Sequence, residues 1–119
     1  MHWQGHIMVI KPDHSKHYKW GNDCDGWHLL NTASLSVIKE RVPKGGVEEM
    51  HFHQKAQQLF YVLQGVATIQ LGEETYRVLR GEAMHVPPKT PHRLENTGEE
   101  ELIFLVISQP HSHMDKITL

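Results

Sequence analysis

From residue 35 onward the chain is a succession of short apolar runs cut by glycine or proline, with no long helical period. Ala33, Leu35 and Val37 alternate with polar residues, the period of two expected of a strand with one buried face. Pro43-Lys44-Gly45-Gly46 reads as a turn. Gln58 to Gln64 (QLFYVLQ) is a dense apolar run closed by Gly65. Val66 to Leu71 alternates again, with Ala67, Ile69 and Leu71 on one face and Thr68 and Gln70 on the other. Gly72-Glu73-Glu74 then turns the chain back into Thr75 to Arg80. Gly81 opens another turn, Pro87, Pro88 and Pro91 punctuate the next loop, and Leu102 to Ile107 reads as a last buried strand. Seven or eight short strands this close together predict an all-β barrel or sandwich.

The flanks read differently. Residues 1–33 are polar and lack a period, which suggests an N-terminal arm that wraps the body and docks Trp3, Trp20 and Trp27 on it. Residues 34–108 then form the barrel and 109–119 a C-terminal tail, all within one domain of 119 residues. A chain of this size buries enough apolar surface to fold without staples. The single cysteine, Cys24, has no partner for an internal disulfide, which fits a reducing, cytoplasmic setting. Its neighbours Asp23 and Asp25 raise a thiol pKa rather than lower it, so Cys24 reads as structural. The net charge is −2 with both signs interspersed. There is no basic stripe for nucleic acid and no apolar run long enough to cross a bilayer. The opening segment MHWQGHIMVIKPDH has no secretory pattern, because its apolar stretch is short and interrupted by histidine.

Eleven histidines are the unusual number, and their spacing decides whether they matter. In GGVEEMHFHQKAQQLFYVLQG (Gly45–Gly65), His51 and His53 lie two apart and so share one face of a strand. After a four-residue turn, Gln54 to Gln57, the returning strand begins at Gln58, whose side chain can come back to the same place. His92 follows the proline-rich loop in PPKTPHRLEN. Three imidazole nitrogens and one amide oxygen then converge on a site for one divalent metal ion, with Fe, Mn, Zn and Ni all compatible. His111-Ser112-His113 has the same His-x-His form but no second block to fit, and reads as a coincidence of a histidine-rich chain.

These two blocks resemble the paired motifs of the cupin superfamily, the double-stranded β-helix proteins. The first family motif is Gly, five residues, His-x-His, three or four residues, Glu, six residues, Gly; here Gly45, His51, His53, Gln58 and Gly65 fall at those positions. The second is Gly, five residues, Pro-x-Gly, two residues, His, three residues, Asn; here Gly81, Pro87, Lys89, His92 and Asn96 do so. The resemblance runs from about Leu35 to Ser108. It implies a jelly-roll-like barrel, a metal held by His51, His53, Gln58 and His92, and a homodimer, which exposed sheet edges also invite. Within the superfamily the chain is similar to small single-domain cupins with a GWHLL segment (Gly26–Leu30), a QLFYVL-like strand and an ending like VISQPHSHMDK. Lys89 departs from the motif at a turn glycine, and Gln58 departs at the glutamate. As a ligand, a neutral amide in place of a carboxylate leaves the ion its full charge, which favours Lewis-acid work and weakens binding; the alternative is that Gln58 only hydrogen-bonds a bound water.

Outside the ligand set, Glu49 lies two residues before His51, so alternation puts it on the ligand face, as a general base or as a partner that orients a ligand. The competing reading makes it a solvated rim residue. His85 points away from Met84 and Val86, either into the pocket or along a strand edge. Arg93 alternates away from His92 and reads as a surface residue. Three functions follow from the sequence. The first is a metal-dependent isomerase, lyase or dioxygenase acting on a small polar molecule. The second is a binding or sensing module without turnover, favoured because no second acid/base pair is visible. The third is a metal-free structural barrel. None of them calls for a nucleic-acid or membrane partner.

Overall fold

Along QQLFYVLQ every second side chain is buried: Gln58, Phe60 and Val62 turn inward while Leu59, Tyr61 and Leu63 stay exposed. That alternation is the pleat of a strand read out as burial, and it recurs throughout the computed structural model, which describes residues 9–11, 16–112 and 115–119. The described residues form strands β1 (Lys16–Trp20), β2 (Cys24–Asn31), β3 (Ser36–Val42), β4 (His51–His53), β5 (Gln57–Gln64), β6 (Ala67–Leu71), β7 (Glu74–Val78), β8 (Ala83–Val86), β9 (His92–Glu95), β10 (Leu102–Gln109) and β11 (Lys116–Thr118). They build two antiparallel sheets, ordered β1-β2-β3-β10-β5-β8 and β11-β4-β9-β6-β7. The fold is all-β, a double-stranded β-helix, as the sequence predicts. Phe60, Val62, Ile69, Leu94, Leu102 and Phe104 fill the space between the sheets. No helix among the described residues is long and apolar enough to cross a membrane.

Two readings of the flanks are corrected. The arm contains a hairpin: β1 and β2 pair through Tyr18–Gly26 and Trp20–Cys24 and extend the sheet beyond β3. Its period is hidden in the sequence because polar side chains stabilise it. Asp25, nearly buried, accepts from Arg41 Nε at 2.7 Å and lies 2.6 Å from His17 Nε2 and 3.0 Å from Lys19 Nζ. Burial alone would raise the Asp25 pKa, but the hydrogen bonds from His17, Lys19 and Arg41 outweigh it and hold the carboxyl well below its ordinary range. Trp20 docks on the core as expected, whereas Trp27 stays partly exposed beside His17 and Lys39; Trp3 lies outside the described residues. The C-terminal tail likewise contains a strand, with β11 pairing along β4 through Lys116–His53 and Thr118–His51.

The phase of β3 also differs. The sequence pattern marks Ala33, Leu35 and Val37 as the buried face, but Ser36 and Val42 are the buried ends of the strand, and Ile38, on the same face, packs on the core. Ala33 is exposed and Leu35 and Val37 only partly buried. The reason is that the outer face of this sheet is apolar too: Val37 lies beside Ile107, which in turn faces Leu59.

Two of the left-handed turn positions show what closing the barrel asks of the backbone. Gly65 sits at φ +81°, and a Cβ there would fall 2.7 Å from the Glu101 carbonyl oxygen and 3.1 Å from Leu102 Cα. Lys89 sits at φ +62° and donates its backbone N–H to the His53 carbonyl at 2.6 Å. The motif's glycine preference at position 89 is thus a preference for left-handed backbone, which lysine adopts at a cost of about 1–2 kcal/mol. Gly65→Ala combines that backbone cost with a backbone clash. It is expected to lower stability by roughly 2–4 kcal/mol in urea unfolding; an unchanged midpoint would contradict this account of the turn.

Candidate metal centre

Strand β4 is only three residues long, and its two histidines are both buried, His51 4% and His53 6% exposed. It is held between β11 on one side and β9 on the other, where His51 is the direct cross-strand neighbour of His92. Ring centroids are 4.4 Å apart for His51 and His92, 5.2 Å for His51 and His53, and 5.9 Å for His53 and His92. One ligand atom from each of the three lies within 4.8 Å of the others. The opposite sheet supplies Gln58, which pairs in register with Ser108 of β10.

Local hydrogen bonds set which atoms are free. His51 Nδ1 lies 2.8 Å from the Glu49 carbonyl, and His92 Nδ1 lies 2.9 Å from the Thr90 carbonyl. A carbonyl can only accept, so each Nδ1 carries the proton and each Nε2 keeps its lone pair. Gln58 Nε2 donates to Ser108 Oγ at 3.0 Å. That leaves Gln58 Oε1, His92 Nε2 and His53 Nδ1 as buried polar atoms without a hydrogen-bond partner. Buried polar atoms without partners are costly in a folded protein and call for an explanation. A cation is the partner that suits neutral nitrogen and amide oxygen together. The residues present therefore fit a divalent ion.

Burial adjusts the imidazoles in the same direction. It lowers the pKa of His51 and of His53 to about 4 and also depresses His92. The neighbouring His92 and Lys116 push the first two further down. All three rings are then neutral at pH 7, the form in which histidine binds a metal.

His51 and His53 open onto a cavity of about 160 Å³ whose lining includes Tyr18, Glu40, Glu48, Gln58, Ser108 and Lys116. Glu48 Oε1 accepts the backbone N–H of Leu94 at 2.9 Å. Glu49 is exposed, as the rim reading has it and not the ligand-face one, and Glu48 lines the cavity instead. The physical reason is that residues 48–50 are not regular strand, so counting in twos back from His51 fails there. His85 is exposed on β8 and hydrogen-bonds Gln57 Oε1 at 2.9 Å, away from the cavity lining. Arg93 is exposed and donates to Gln70, as alternation predicts. His111 hydrogen-bonds Asn31 at 2.6 Å, while His113 lies outside the described residues.

Sequence reasoning missed Tyr18, Glu40, Ser108 and Lys116. Glu40 carried a signal, since it shares the face of β3 that holds Ile38 and Val42. The others depend on cross-strand register, which no local pattern supplies. Burial is the main reason the carboxyl pKa rises to about 7 in Glu40 and about 8 in Glu48; Lys116 moderates both shifts, and Glu40 adds to that of Glu48.

A fold of this kind with histidines at these positions defines a class, and comparison with known proteins agrees. The family model for the cupin domain matches residues 38–108, and the chain belongs to that family. A protein of Methanocaldococcus jannaschii is 36% identical over 89 residues, covering 74% of this chain and 71% of that one. Mannose-1-phosphate guanylyltransferase RfbM of Salmonella typhimurium is 39% identical over 108 residues; the match spans 88% of this chain but only 20% of that enzyme's length. Among solved structures, a predicted oxalate decarboxylase from Thermotoga maritima superposes with a TM-score of 0.80 at 18% identity, over 87% of this chain and all of that one, which shows the shared fold.

Ser108 tests how the amide is oriented. Ser108→Ala removes the acceptor that holds Gln58 Nε2 and is expected to lower affinity for a divalent ion about ten- to hundredfold with the barrel intact. Competition against a chromogenic chelator measures it, with circular dichroism as the control for folding.

Proposed function

We propose that this cupin is a metal-dependent enzyme acting on a small polar organic molecule, with His51, His53, His92 and Gln58 as the protein ligands of one divalent ion. The observation that carries the reading is the cluster of His51, His53 and His92, in which His92 Nε2 is buried without a partner, together with the buried and equally partnerless Gln58 Oε1, beside a cavity of about 160 Å³ lined by His51, His53 and Gln58. An ion held only by neutral side chains keeps its full charge and polarises an oxygen brought to it. This favours isomerase or lyase chemistry, while iron in the same site would permit dioxygenation. The residues of the chain hold the imidazoles as neutral donors and line the space beside them. A volume of 160 Å³ is that of about five water molecules, so the part of the substrate that reaches the ligands is small. A cytoplasmic setting fits the buried, unpaired Cys24.

Elemental analysis of purified protein identifies the metal among Fe, Mn, Zn and Ni. His51→Ala and His92→Ala are expected to lose bound metal while the barrel stays folded, because the core between the sheets is built independently of the ligands. Stoichiometric metal in His51→Ala would refute the ligand assignment. Turnover that disappears with chelator separates the enzyme from a binding module, which would hold its ligand unchanged.

The assembly belongs to the same proposal. Leu59, Tyr61 and Leu63 are 37–38% exposed on the outer face of the larger sheet, beside the partly buried Ile103, Leu105 and Ile107. An apolar sheet face of this kind is covered most simply by its own copy about a two-fold axis. Light scattering at micromolar concentration should give twice the chain mass, and Tyr61→Glu should give a monomer; a monomeric parent protein would refute the dimer.

A further inference from the structure

The sequence shows no acid/base pair, but the fold assembles one. Tyr18, Gly26 and Glu40 are consecutive partners across β1, β2 and β3. Because Gly26 has no side chain, the Tyr18 ring lies over it: a Cβ at Gly26 would fall 2.3 Å from the ring. Tyr18 thereby crosses a whole strand and donates its hydroxyl proton to Glu40 Oε1 at 3.1 Å. Both side chains line the cavity that His51, His53 and Gln58 also line, as does Lys116, the only lysine or arginine among the described lining residues. The other carboxylate there, Glu48, is engaged with the backbone of Leu94. Glu40 instead receives its hydrogen bond from a phenol that burial and Glu40 itself keep protonated, so Tyr18 positions the carboxylate.

We propose that Glu40, positioned by Tyr18 across Gly26, transfers a proton to and from the carbon next to the carbonyl of a small anionic oxo compound in the cavity. This rests on the metal-site reading above. Lys116 supplies the charge that a carboxylate substrate needs. In the step, the Glu40 carboxylate takes the proton from the carbon. The electron pair of the broken C–H bond forms the carbon–carbon double bond of an enolate, and the carbonyl π pair moves to oxygen. Return of a proton from Glu40 to carbon reverses the flow, so no oxidant or reductant is consumed. The raised pKa of Glu40, near 7, suits a group that must both accept and release a proton at neutral pH.

Pyruvate in D₂O is the probe. Loss of its methyl proton signal is followed by NMR, with bound metal measured on the same samples. Metal-loaded parent protein should exchange the methyl protons, and Glu40→Gln should slow exchange a hundredfold or more with metal content unchanged. Exchange should rise as Glu40 ionises. In Tyr18→Phe that limb should move to higher pH, since the lost hydrogen bond stabilised the carboxylate; Glu48 and Lys116, the other charged groups facing Glu40, remain in place. Independently of any metal, infrared titration should show a protonated carboxyl band persisting to near neutrality that disappears in Glu40→Gln and shifts in Tyr18→Phe. Metal-replete samples in which parent and Glu40→Gln exchange alike, or in which neither exchanges, overturn the proposal and leave the metal site standing. Protein that takes up no metal refutes the site instead, and a Glu40 band that titrates as an ordinary carboxyl then overturns the proton-transfer role as well.

Discussion

Everything in this molecule depends on one geometric constraint: a pleated strand sends every second side chain inward, and two facing sheets leave room for nothing else. In most of the interior that space is filled by residues such as Phe60, Ile69, Leu94 and Phe104. Between β4, β9 and the start of β5 the same inward positions hold His51, His53, His92 and Gln58. These polar groups occupy core positions, and much of their chemistry follows from that. Removal from water makes the imidazoles neutral, leaves acceptors without partners, and raises the carboxyl pKa of Glu40 and Glu48.

Much of this was legible before any coordinates. His-x-His at strand spacing, Gln58 after a short turn and His92 after a proline-rich loop located three histidines that the structure brings within one cluster. The hairpin of β6 and β7 was equally plain, because Ala67, Ile69 and Leu71 alternate cleanly and Gly72 marks the turn. What was hidden had a common cause. β1, β2 and β11 are held by polar side chains or lie at sheet edges, so hydrophobic period does not mark them. The phase of β3 was misread because both faces of its sheet are partly apolar. Glu48 carries no such mark, because residues 48–50 are not regular strand and alternation does not extend through them. The pairing of Tyr18 with Glu40 requires knowing the register of three strands at once.

Glycine has two distinct roles here. At Gly65 the backbone itself needs the left-handed region and close approach to β10. At Gly26 the missing side chain is what matters, because it makes space for a tyrosine ring from the neighbouring strand. The second role carries no turn signature, yet it connects the outermost hairpin to the cavity. The Asp25 cluster anchors that same hairpin through Arg41 of β3, which also pairs with Glu101. The polar scaffold outside and the tyrosine inside are thus supported by adjacent residues of β2.

The cavity draws its walls from Tyr18 in β1 to Lys116 in β11, with Glu40, His51, Gln58 and Ser108 between them. Nearly the full described length of the chain must come together before the walls exist, and contacts so distant in sequence are the slowest to form because each must first overcome the entropy of closing a long loop. A partly folded molecule therefore presents the histidines as loose, separate ligands. An ion that binds only the finished site draws the population toward the native state, by about 2.7 kcal/mol when its free concentration is a hundred times its dissociation constant. Such an ion would add to the stability of a barrel that folds without it, so unfolding would become harder as the metal is supplied.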